Sequence, residues 1–144
     1  MDLPKDVIFK ATLKPGGVFL YKDEIFPEKA HFFAVINPCI VYGQPLLLVY
    51  ASSQISKRKE YVKRMGIDIN TLVIVQPSEC SFLTKETVFD CNRVLVRPIE
   101  VLKEKMDIDK IIRYTEIKDD LLTKLREAVK RSPMISPKIK KQLE

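Results

Sequence analysis

The chain has 144 residues, of which 46% are apolar and 31% are charged. This composition is typical of one folded domain and excludes an intrinsically disordered chain. No apolar run approaches the roughly 20 residues of a membrane-spanning helix, and residues 1–6 are too polar for a signal peptide, so we expect a cytoplasmic protein with no membrane contact. The net charge of +6, with an isoelectric point near 9.2, favours polyanionic partners without establishing one.

Short predicted strands dominate the first two-thirds of the chain. The pair Gly16-Gly17 forms a turn that opens the first strand. The third apolar run, residues 46–51, has no polar face and is expected to be buried on both sides of a sheet. Five or six strands separated by turns predict a small barrel or sandwich, and the strands lie at 18–21, 31–37, 46–51, 71–75, 86–89 and 93–96, the last two forming one strand or a pair.

A long connection, residues 52–70, separates the third and fourth predicted strands. Connections of this length are functional or mobile in compact domains. Residues 58–65 predict a short helix that Gly66 ends. Basic side chains gather here and again near residues 130–141, and each cluster is either a solvated face or a surface for nucleic acid.

The pattern becomes helical after Pro98. Apolar residues recur at helical spacing over 119–131, with aspartates at the start and a Lys-Arg pair at the end, as the helix dipole favours. Residues 136–143 predict a last short helix with Ser136 and Pro137 at its start, and residues 107–117 predict another. The predicted fold is a single domain, 1–144, of mainly β (α+β) class, in which a β-barrel core over 13–97 has five to six antiparallel strands and a C-terminal helical extension over 107–144.

Three cysteines, Cys39, Cys80 and Cys91, are too few and too scattered for a disulfide framework. A structural zinc site needs about four ligands, usually in closely spaced pairs. We therefore predict buried thiols, no metal and no cofactor. The sequence also lacks a glycine-rich phosphate loop, an H-E-x-x-H zinc motif and a nucleophile elbow, which excludes the enzyme classes that those motifs define.

Four segments occur in a recognisable order: LKPGGVFLY, HFFAVINP, LLLVYASS and VFDCNRVLV. Together they resemble the PemK/MazF-like proteins, which are the toxins of toxin–antitoxin pairs, and more closely a divergent branch in which a histidine precedes the second strand. The resemblance covers residues 13–97. It implies an SH3-like barrel that pairs into a homodimer, metal-independent cleavage of single-stranded RNA, and an antitoxin protein that blocks the RNA groove.

The residues that the resemblance maps onto this chain match the family only in part. The family's Thr-Ser after the third strand corresponds to Ser52-Ser53, and its Arg-Pro at the second strand corresponds to His31-Phe32. Its late Arg-Cys-Asp corresponds to residues 89–91, where the arginine is missing and the acid, Asp90, comes one place early. A shift of one place in a strand sends a side chain to the opposite face, so only part of the family's catalytic set maps onto this chain.

Metal-free RNA cleavage requires a base for the 2′-hydroxyl, an acid for the leaving 5′ oxygen, and donors that stabilise the charge on phosphorus. His31 is the candidate base or acid because imidazole titrates near neutral pH; it could equally be a strand-start residue bonded to a backbone carbonyl. Asp90 is its candidate partner, or a residue that ends a strand. Arg93 is the candidate phosphate clamp, or an ordinary surface arginine.

The remaining candidates would hold the RNA backbone. Ser53, proposed as catalytic, and Ser52 could each bond a phosphate or cap the segment that follows them. Lys57, Arg58 and Lys59 would bind phosphates by charge. Three functions stay open at this point. One is an RNA-cleaving toxin, and the second is a barrel of the same kind that binds nucleic acid or protein without catalysis. The third is a structural adaptor that docks elsewhere through its C-terminal helix, which only the amphipathic pattern over 119–131 supports.

Overall fold

The computed structural model describes residues 4–107 and 111–144. It shows a mixed α+β fold in which a mainly antiparallel sheet curls into a half-barrel and helices follow at the C-terminal end. The strands are β1 Gly17–Tyr21, β2 His31–Val35, β3 Leu46–Ser52, β4 Leu72–Val75, β5 Thr87–Asp90, β6 Leu95–Arg97 and β7 Ile111–Glu116. The helices are α1 Lys5–Thr12, α2 Ile55–Arg64, α3 Ile99–Asp107, α4 Asp119–Arg131 and α5 Pro137–Gln142, with a 3-10 turn at Ile69–Thr71.

The strands lie in the order β4-β5-β3-β2-β1-β7. The central strand, β3, pairs with β2 along one edge, and on its other edge it pairs first with β6 and then with β5. At the β2–β3 ladder Phe33 lies opposite Tyr50, and at the β3–β5 ladder Ser52 lies opposite Val88. The end of β3 is thus flanked by the start of β2 and by β5, which positions the candidate site described below.

Both faces of the sheet are buried, as the unbroken apolar run in β3 predicts. Leu47 and Val49 belong to one hydrophobic cluster, while Leu46, Leu48 and Tyr50 belong to a second. Alternate residues of a strand point to opposite faces, so the two clusters lie on the two sides of the sheet. A third cluster, which includes Val62 and Val88, lies beneath α2.

Helices cover the two faces separately. From α4, Leu122, Leu125 and Val129 enter the first cluster, which also includes Leu143 just after α5. The second cluster instead receives side chains from α1 and α3: Phe9, Ile99, Leu102 and Met106. The amphipathic stripe of α4 is therefore part of the core, where burial of apolar side chains stabilises the fold. No helix within the described ranges is both long and apolar enough to cross a membrane.

Local signals in the sequence explain how several elements begin and end. The Ser136 hydroxyl accepts a hydrogen bond from the Ile139 amide, and Pro137 begins α5, as predicted. Gly66 has a φ of +69° just after α2, a conformation that favours glycine. A Cβ atom at Gly17 would overlap the Thr12 carbonyl oxygen, so the glycine turn before β1 permits the close passage of α1's last residue.

The predicted helix over 107–117 is wrong, and the helices α1 and α3 were not predicted from the sequence. Residues 107–117 were expected to form a short helix, but Ile111–Glu116 is the strand β7, which pairs antiparallel with β1. The segment is rich in β-branched and aromatic residues, and the unpaired edge of β1 gives it a ladder to join. The helices α1 and α3 both start directly after a proline, Pro4 and Pro98.

The cysteines are only partly as expected. All three are free; Cys80 and Cys91 are buried, but Cys39 is exposed. Burial raises the pKa of both buried thiols, and nearby carboxylates, Glu79 for Cys80 and Asp90 for Cys91, raise it further. These two residues are inert packing groups at neutral pH, since the thiolate is the reactive form.

Candidate functional site

The candidate site lies on one face of the sheet, between the cluster under α1 and α3 and the cluster under α2. His31 begins β2 on the same face as Phe33, and Tyr50, opposite Phe33, continues that face along β3. A surface depression of about 400 Å³ opens there. We call it the histidine depression, and its lining includes Phe26, Lys29, His31, Tyr50, Ser52, Gln54 and Arg58.

The His31 ring is held in one tautomer. Its Nδ1 lies 3.0 Å from the Lys29 carbonyl oxygen. A carbonyl can only accept a hydrogen bond, so Nδ1 donates and the lone pair of the neutral ring is on Nε2. The two roles that the sequence left open for His31 are therefore compatible. The ring is bonded to a backbone carbonyl, as a strand-start residue would be, and it also keeps a basic nitrogen, as a catalytic base requires.

Aromatic neighbours enclose the imidazole. The ring centroid of His31 lies 4.9 Å from that of Phe26 and 5.8 Å from that of Tyr50. Burial lowers the pKa of His31, the bond to the Lys29 carbonyl opposes that change, and the Lys29 ammonium adds to the lowering. The imidazole is consequently neutral at pH 7, which is the form that a general base requires.

A second depression adjoins the first and contains the paired serines. It has a volume of about 220 Å³, and we call it the serine depression. His31, Lys29 and Ser52 line both depressions. The serine depression adds Ser53, Phe82, Thr84, Lys85 and Thr87 to its lining. The two depressions therefore adjoin at Lys29, His31 and Ser52, and we call them together the groove; Arg58 lines the first and Lys85 lines the second.

Asp90 is near the site but is not available as a free acid. It is only 4% exposed. Its Oδ1 accepts hydrogen bonds from the amide and side chain of Asn92 at 3.0 and 3.1 Å, and its Oδ2 accepts one from the Tyr50 hydroxyl at 3.3 Å. Arg58 Nη1 lies 3.6 Å from Oδ2. Asp90 thus acts as an anchor for Tyr50 and Arg58.

Tyr50 stays protonated at neutral pH. Burial raises its pKa, and the Asp90 carboxylate raises it further, while Arg58 and Arg93 oppose the change. Its hydroxyl also accepts a hydrogen bond from Arg58 at 3.4 Å. The resulting contacts between Tyr50, Asp90 and Arg58 fix the guanidinium at the wall of the groove.

The three basic residues of α2 that were predicted to bind phosphate lie at different places relative to His31. Arg58 lines the histidine depression, with its side chain 31% exposed. Lys57 lines an open recess beside Ser53 and Lys85. Lys59 is exposed on α2. The structure therefore brings His31, Ser52 and Arg58 together, with Ser53 and Lys57 next to them.

Arg93 lies in a third depression, of about 390 Å³, which we call the arginine depression. It shares Phe26, Tyr50 and Arg58 with the histidine depression and adds Tyr61, Asp90, Asn92, Arg93 and Met134. The guanidinium carbon of Arg93 lies 5.7 Å from the centroid of Phe26. Arg58, not Arg93, is thus the arginine that lines the depression around His31.

Sequence reasoning missed Phe26, Lys29, Tyr50 and Lys85. Sequence signals exist for Phe26 and Tyr50. Phe26 is an aromatic residue within a charged loop, and Tyr50 is the one side chain in residues 46–51 with a polar group. The two lysines carry no local signal that separates them from other surface lysines.

An ion pair holds the loop that carries Phe26 and Lys29. Asp23, 1% exposed, accepts hydrogen bonds from Arg97 Nε at 3.0 Å and Nη2 at 2.7 Å. It also accepts from the Tyr21 hydroxyl at 2.9 Å and the Ile25 amide at 3.1 Å. Burial alone would raise the pKa of Asp23, but these bonds outweigh it and hold the pKa below its usual value. The loop is therefore tied to β1 and β6.

Comparison with protein families and curated proteins gives no relative from which a role could be transferred. The sequence matches no protein-family model and has no significant match among curated proteins. Within residues 4–107 and 111–144, no group of three or more histidine, cysteine or acidic side chains is arranged to hold a metal ion. The chemistry of the site is thus argued from its own side chains: one neutral imidazole, hydroxyls and a set of cations.

Proposed function

We propose that this chain is a PemK/MazF-like, metal-independent endoribonuclease that binds single-stranded RNA along the groove formed by the histidine and serine depressions. The observation that carries the proposal is the position of His31 at the junction of the two depressions, with Nδ1 bonded to the Lys29 carbonyl and Nε2 unprotonated. A basic nitrogen beside cationic side chains is the arrangement that metal-free attack by a 2′-hydroxyl requires.

The roles follow from that arrangement. Nε2 of His31 takes the 2′-hydroxyl proton as the 2′ oxygen bonds to phosphorus. Arg58 and Lys29, which line the same depression, stabilise the charge that develops on the phosphate oxygens. The Lys29 ammonium donates a proton to the departing 5′ oxygen, and the products are a 2′,3′-cyclic phosphate and a 5′-hydroxyl. Ser52 and Ser53 hydrogen-bond the neighbouring phosphates.

Cleavage of a short single-stranded RNA in EDTA tests this function. Replacement His31→Ala should lower the rate by about a hundredfold or more, the range expected for loss of a general base. The matched control is Cys39→Ser, an exposed position in another loop, which should leave the rate unchanged. A strand lacking the attacking 2′-hydroxyl should stay intact. Equal cleavage by wild type and His31→Ala, or none by wild type, rules out the enzyme.

A second candidate is an RNA-binding barrel without turnover. It is favoured by Asp90, whose hydrogen bonds to Asn92 and Tyr50 leave it buried rather than free to act as an acid. This function predicts that wild type and His31→Ala bind RNA alike and that the RNA remains whole. The same incubation in EDTA therefore separates the two candidates.

The partners implied by the resemblance belong to the same proposal. A homodimer would extend the groove across two copies, and an antitoxin would occupy it in place of RNA. Expression of the chain should then arrest growth, and co-expression of a cognate antitoxin should relieve the arrest.

A further inference from the structure

The arginine depression has the composition of a stacking site for a planar ring. Its walls include Phe26, Tyr61 and Met134, and two guanidinium groups, Arg58 and Arg93, line it with them. Phe26 and Tyr61 are partly exposed and Met134 is 50% exposed. Large apolar and aromatic surfaces left open beside arginines are typical of sites that stack nucleobases.

Guanidinium and aromatic groups lie close together around this depression. The guanidinium carbon of Arg58 is 5.9 Å from the Tyr61 centroid, and that of Arg64 is 6.0 Å from the same ring. Arg93 approaches Phe26 to 5.7 Å. These distances are within the range of cation–π attraction. The rings are therefore bordered by positive charge, which would also attract the phosphate attached to a stacked base.

Two of the residues that line the depression, Asp90 and Asn92, are buried polar side chains. Asn92 donates from Nδ2 to Thr71 Oγ1 at 2.8 Å and to Asp90 Oδ1 at 3.1 Å, and its Oδ1 accepts from the Ser132 hydroxyl at 2.7 Å. Asn92, Thr71 and Ser132 are all buried. Asn92, which lines the depression, is therefore held in place by hydrogen bonds to residues of three separate segments of the chain.

The position of this depression relative to His31 defines its ligand. Phe26, Tyr50 and Arg58 line both it and the histidine depression, so one strand can enter both. We propose that the arginine depression binds a nucleobase of the RNA strand, adjacent to the phosphate at His31, by stacking on its aromatic and guanidinium planes. This inference rests on the proposed RNA-binding function and adds a subsite to it.

Binding of labelled single-stranded RNA, measured by fluorescence anisotropy, tests the subsite. The protein carries His31→Ala so that the strand stays intact, and a set of oligonucleotides carries one abasic ribose at each position in turn. At one position, loss of the base should weaken binding roughly tenfold, as expected for one stacked base. Tyr61→Leu and Arg93→Lys, which remove a ring and a planar cation, should each weaken binding of the intact strand and reduce this dependence on the base.

The control variant is Lys59→Gln, which removes an exposed cation from α2 and should weaken binding while the dependence on the base persists. Thermal unfolding confirms that each variant is folded. If the protein binds RNA but no abasic position matters, or if Tyr61→Leu and Arg93→Lys keep the full dependence, the subsite is wrong and the RNA groove stands. If neither the His31→Ala protein nor wild type binds RNA, both the subsite and the proposed function fail.

Discussion

The protonation of His31 is set by burial and by two groups of Lys29, its carbonyl and its ammonium. Burial lowers the pKa of the imidazole below its ordinary value of 6.5, the Lys29 ammonium lowers it further, and the hydrogen bond to the Lys29 carbonyl partly compensates. In the unfolded chain the imidazole regains its ordinary pKa. Below pH 6.5 the unfolded state therefore binds more protons than the folded state, so the stability associated with the neutral ring is complete above pH 6.5 and is lost as pH falls through the lowered pKa.

The first prediction follows from the fact that the chain has a single histidine. Its Cε1–H resonance should titrate in the NMR spectrum with a midpoint below 6.5. The rate of RNA cleavage should rise with pH through the same midpoint, because the neutral ring is the base. Lys29→Gln should move the NMR midpoint upwards, since it removes the positive charge that disfavours the imidazolium.

Glu28→Gln is the matched control, since it also changes the charge of an exposed residue of this loop but leaves the two groups that act on the imidazole. It should leave the midpoint nearer to the wild-type value than Lys29→Gln does. A midpoint at or above 6.5 in the wild-type protein would contradict the burial of His31 against Phe26 and Tyr50.

Asp90 illustrates how burial changes the role of an acidic residue. The sequence places it beside the late strand, where a carboxylate could serve as a catalytic partner. The fold instead surrounds it with donors from Asn92 and Tyr50 and with the Arg58 guanidinium. A buried carboxylate bonded in this way stabilises the positions of its donors, so its contribution to the site is geometric.

Among the elements, the loop over residues 22–30 depends most directly on one ion pair. Asp23 and Arg97 meet through two hydrogen bonds, although the sequence separates them by 74 residues. Asp23 is almost fully buried, and the Arg97 side chain is 19% exposed. Loss of the guanidinium would leave a buried carboxylate with only the Tyr21 hydroxyl and the Ile25 amide as donors.

The second prediction is that Arg97→Met lowers the free energy of unfolding by about 3 kcal/mol, the usual cost of removing one partner of a buried ion pair. The measurement is urea unfolding at neutral pH. Because the pKa of Asp23 lies below its ordinary value of 3.8, the stability that the pair contributes is complete above that value and is lost as pH falls through the lowered pKa. In Arg97→Met the free energy of unfolding should therefore decrease less steeply than in wild type as the pH falls into the acid range.

Arg93→Met is the appropriate comparison, because Arg93 is exposed and contacts Phe26 rather than a buried acid. Its effect on stability should stay within about 0.5 kcal/mol. Equal destabilisation by the two substitutions would show that the Asp23–Arg97 pair does not hold the loop.

The elements that the sequence predicts are those with a strong periodic pattern. The alternating or fully apolar strands and the amphipathic helix α4 are present where the sequence places them. Residues 111–116 were misassigned because their state depends on pairing with β1, which lies almost a hundred residues earlier, and local periodicity carries no information on such a partner. The helix α1, with eight residues and three β-branched ones among them, gives too short a pattern to stand out.

The charge of the whole molecule bears on how RNA would bind. The net charge is +6, and Lys29, Lys57, Arg58 and Lys85 line the depressions around His31 and Ser53. Binding of a polyanion to such a surface releases counterions, so affinity falls as salt rises. The slope of this dependence reports the number of phosphates that the protein neutralises.

The third prediction concerns that slope. For single-stranded RNA, the logarithm of the association constant should fall linearly with the logarithm of the salt concentration. Lys57→Gln and Lys85→Gln should each make this slope shallower by about 0.7, the value for one phosphate contact. Lys141→Gln, an exposed lysine on α5, should leave the slope unchanged. If Lys141→Gln acts as strongly as the other two, binding is a general effect of net charge and not a property of this groove.

The candidate site was only partly predictable for a physical reason. His31 could be identified because it is the single imidazole and stands at the start of an apolar strand. The contact between Tyr50 and Asp90 joins residues 40 positions apart, and the choice of Arg58 over Arg93 depends on how α2 packs against β5. Both are consequences of the order in which the strands pair and of the curl of the sheet, which composition and spacing do not specify.

The alternation along β3 carries a consequence for the tolerance of this protein to changes in chain length. Its side chains alternate between two separate hydrophobic clusters. One inserted residue would rotate everything beyond it by half a turn, exchanging Tyr50 with Ala51 and sending the phenol away from the carboxylate it now contacts. Insertions should instead be accommodated at Tyr42–Gln44, where the residues are exposed and a Cβ atom added to Gly43 would have no atom within 4 Å.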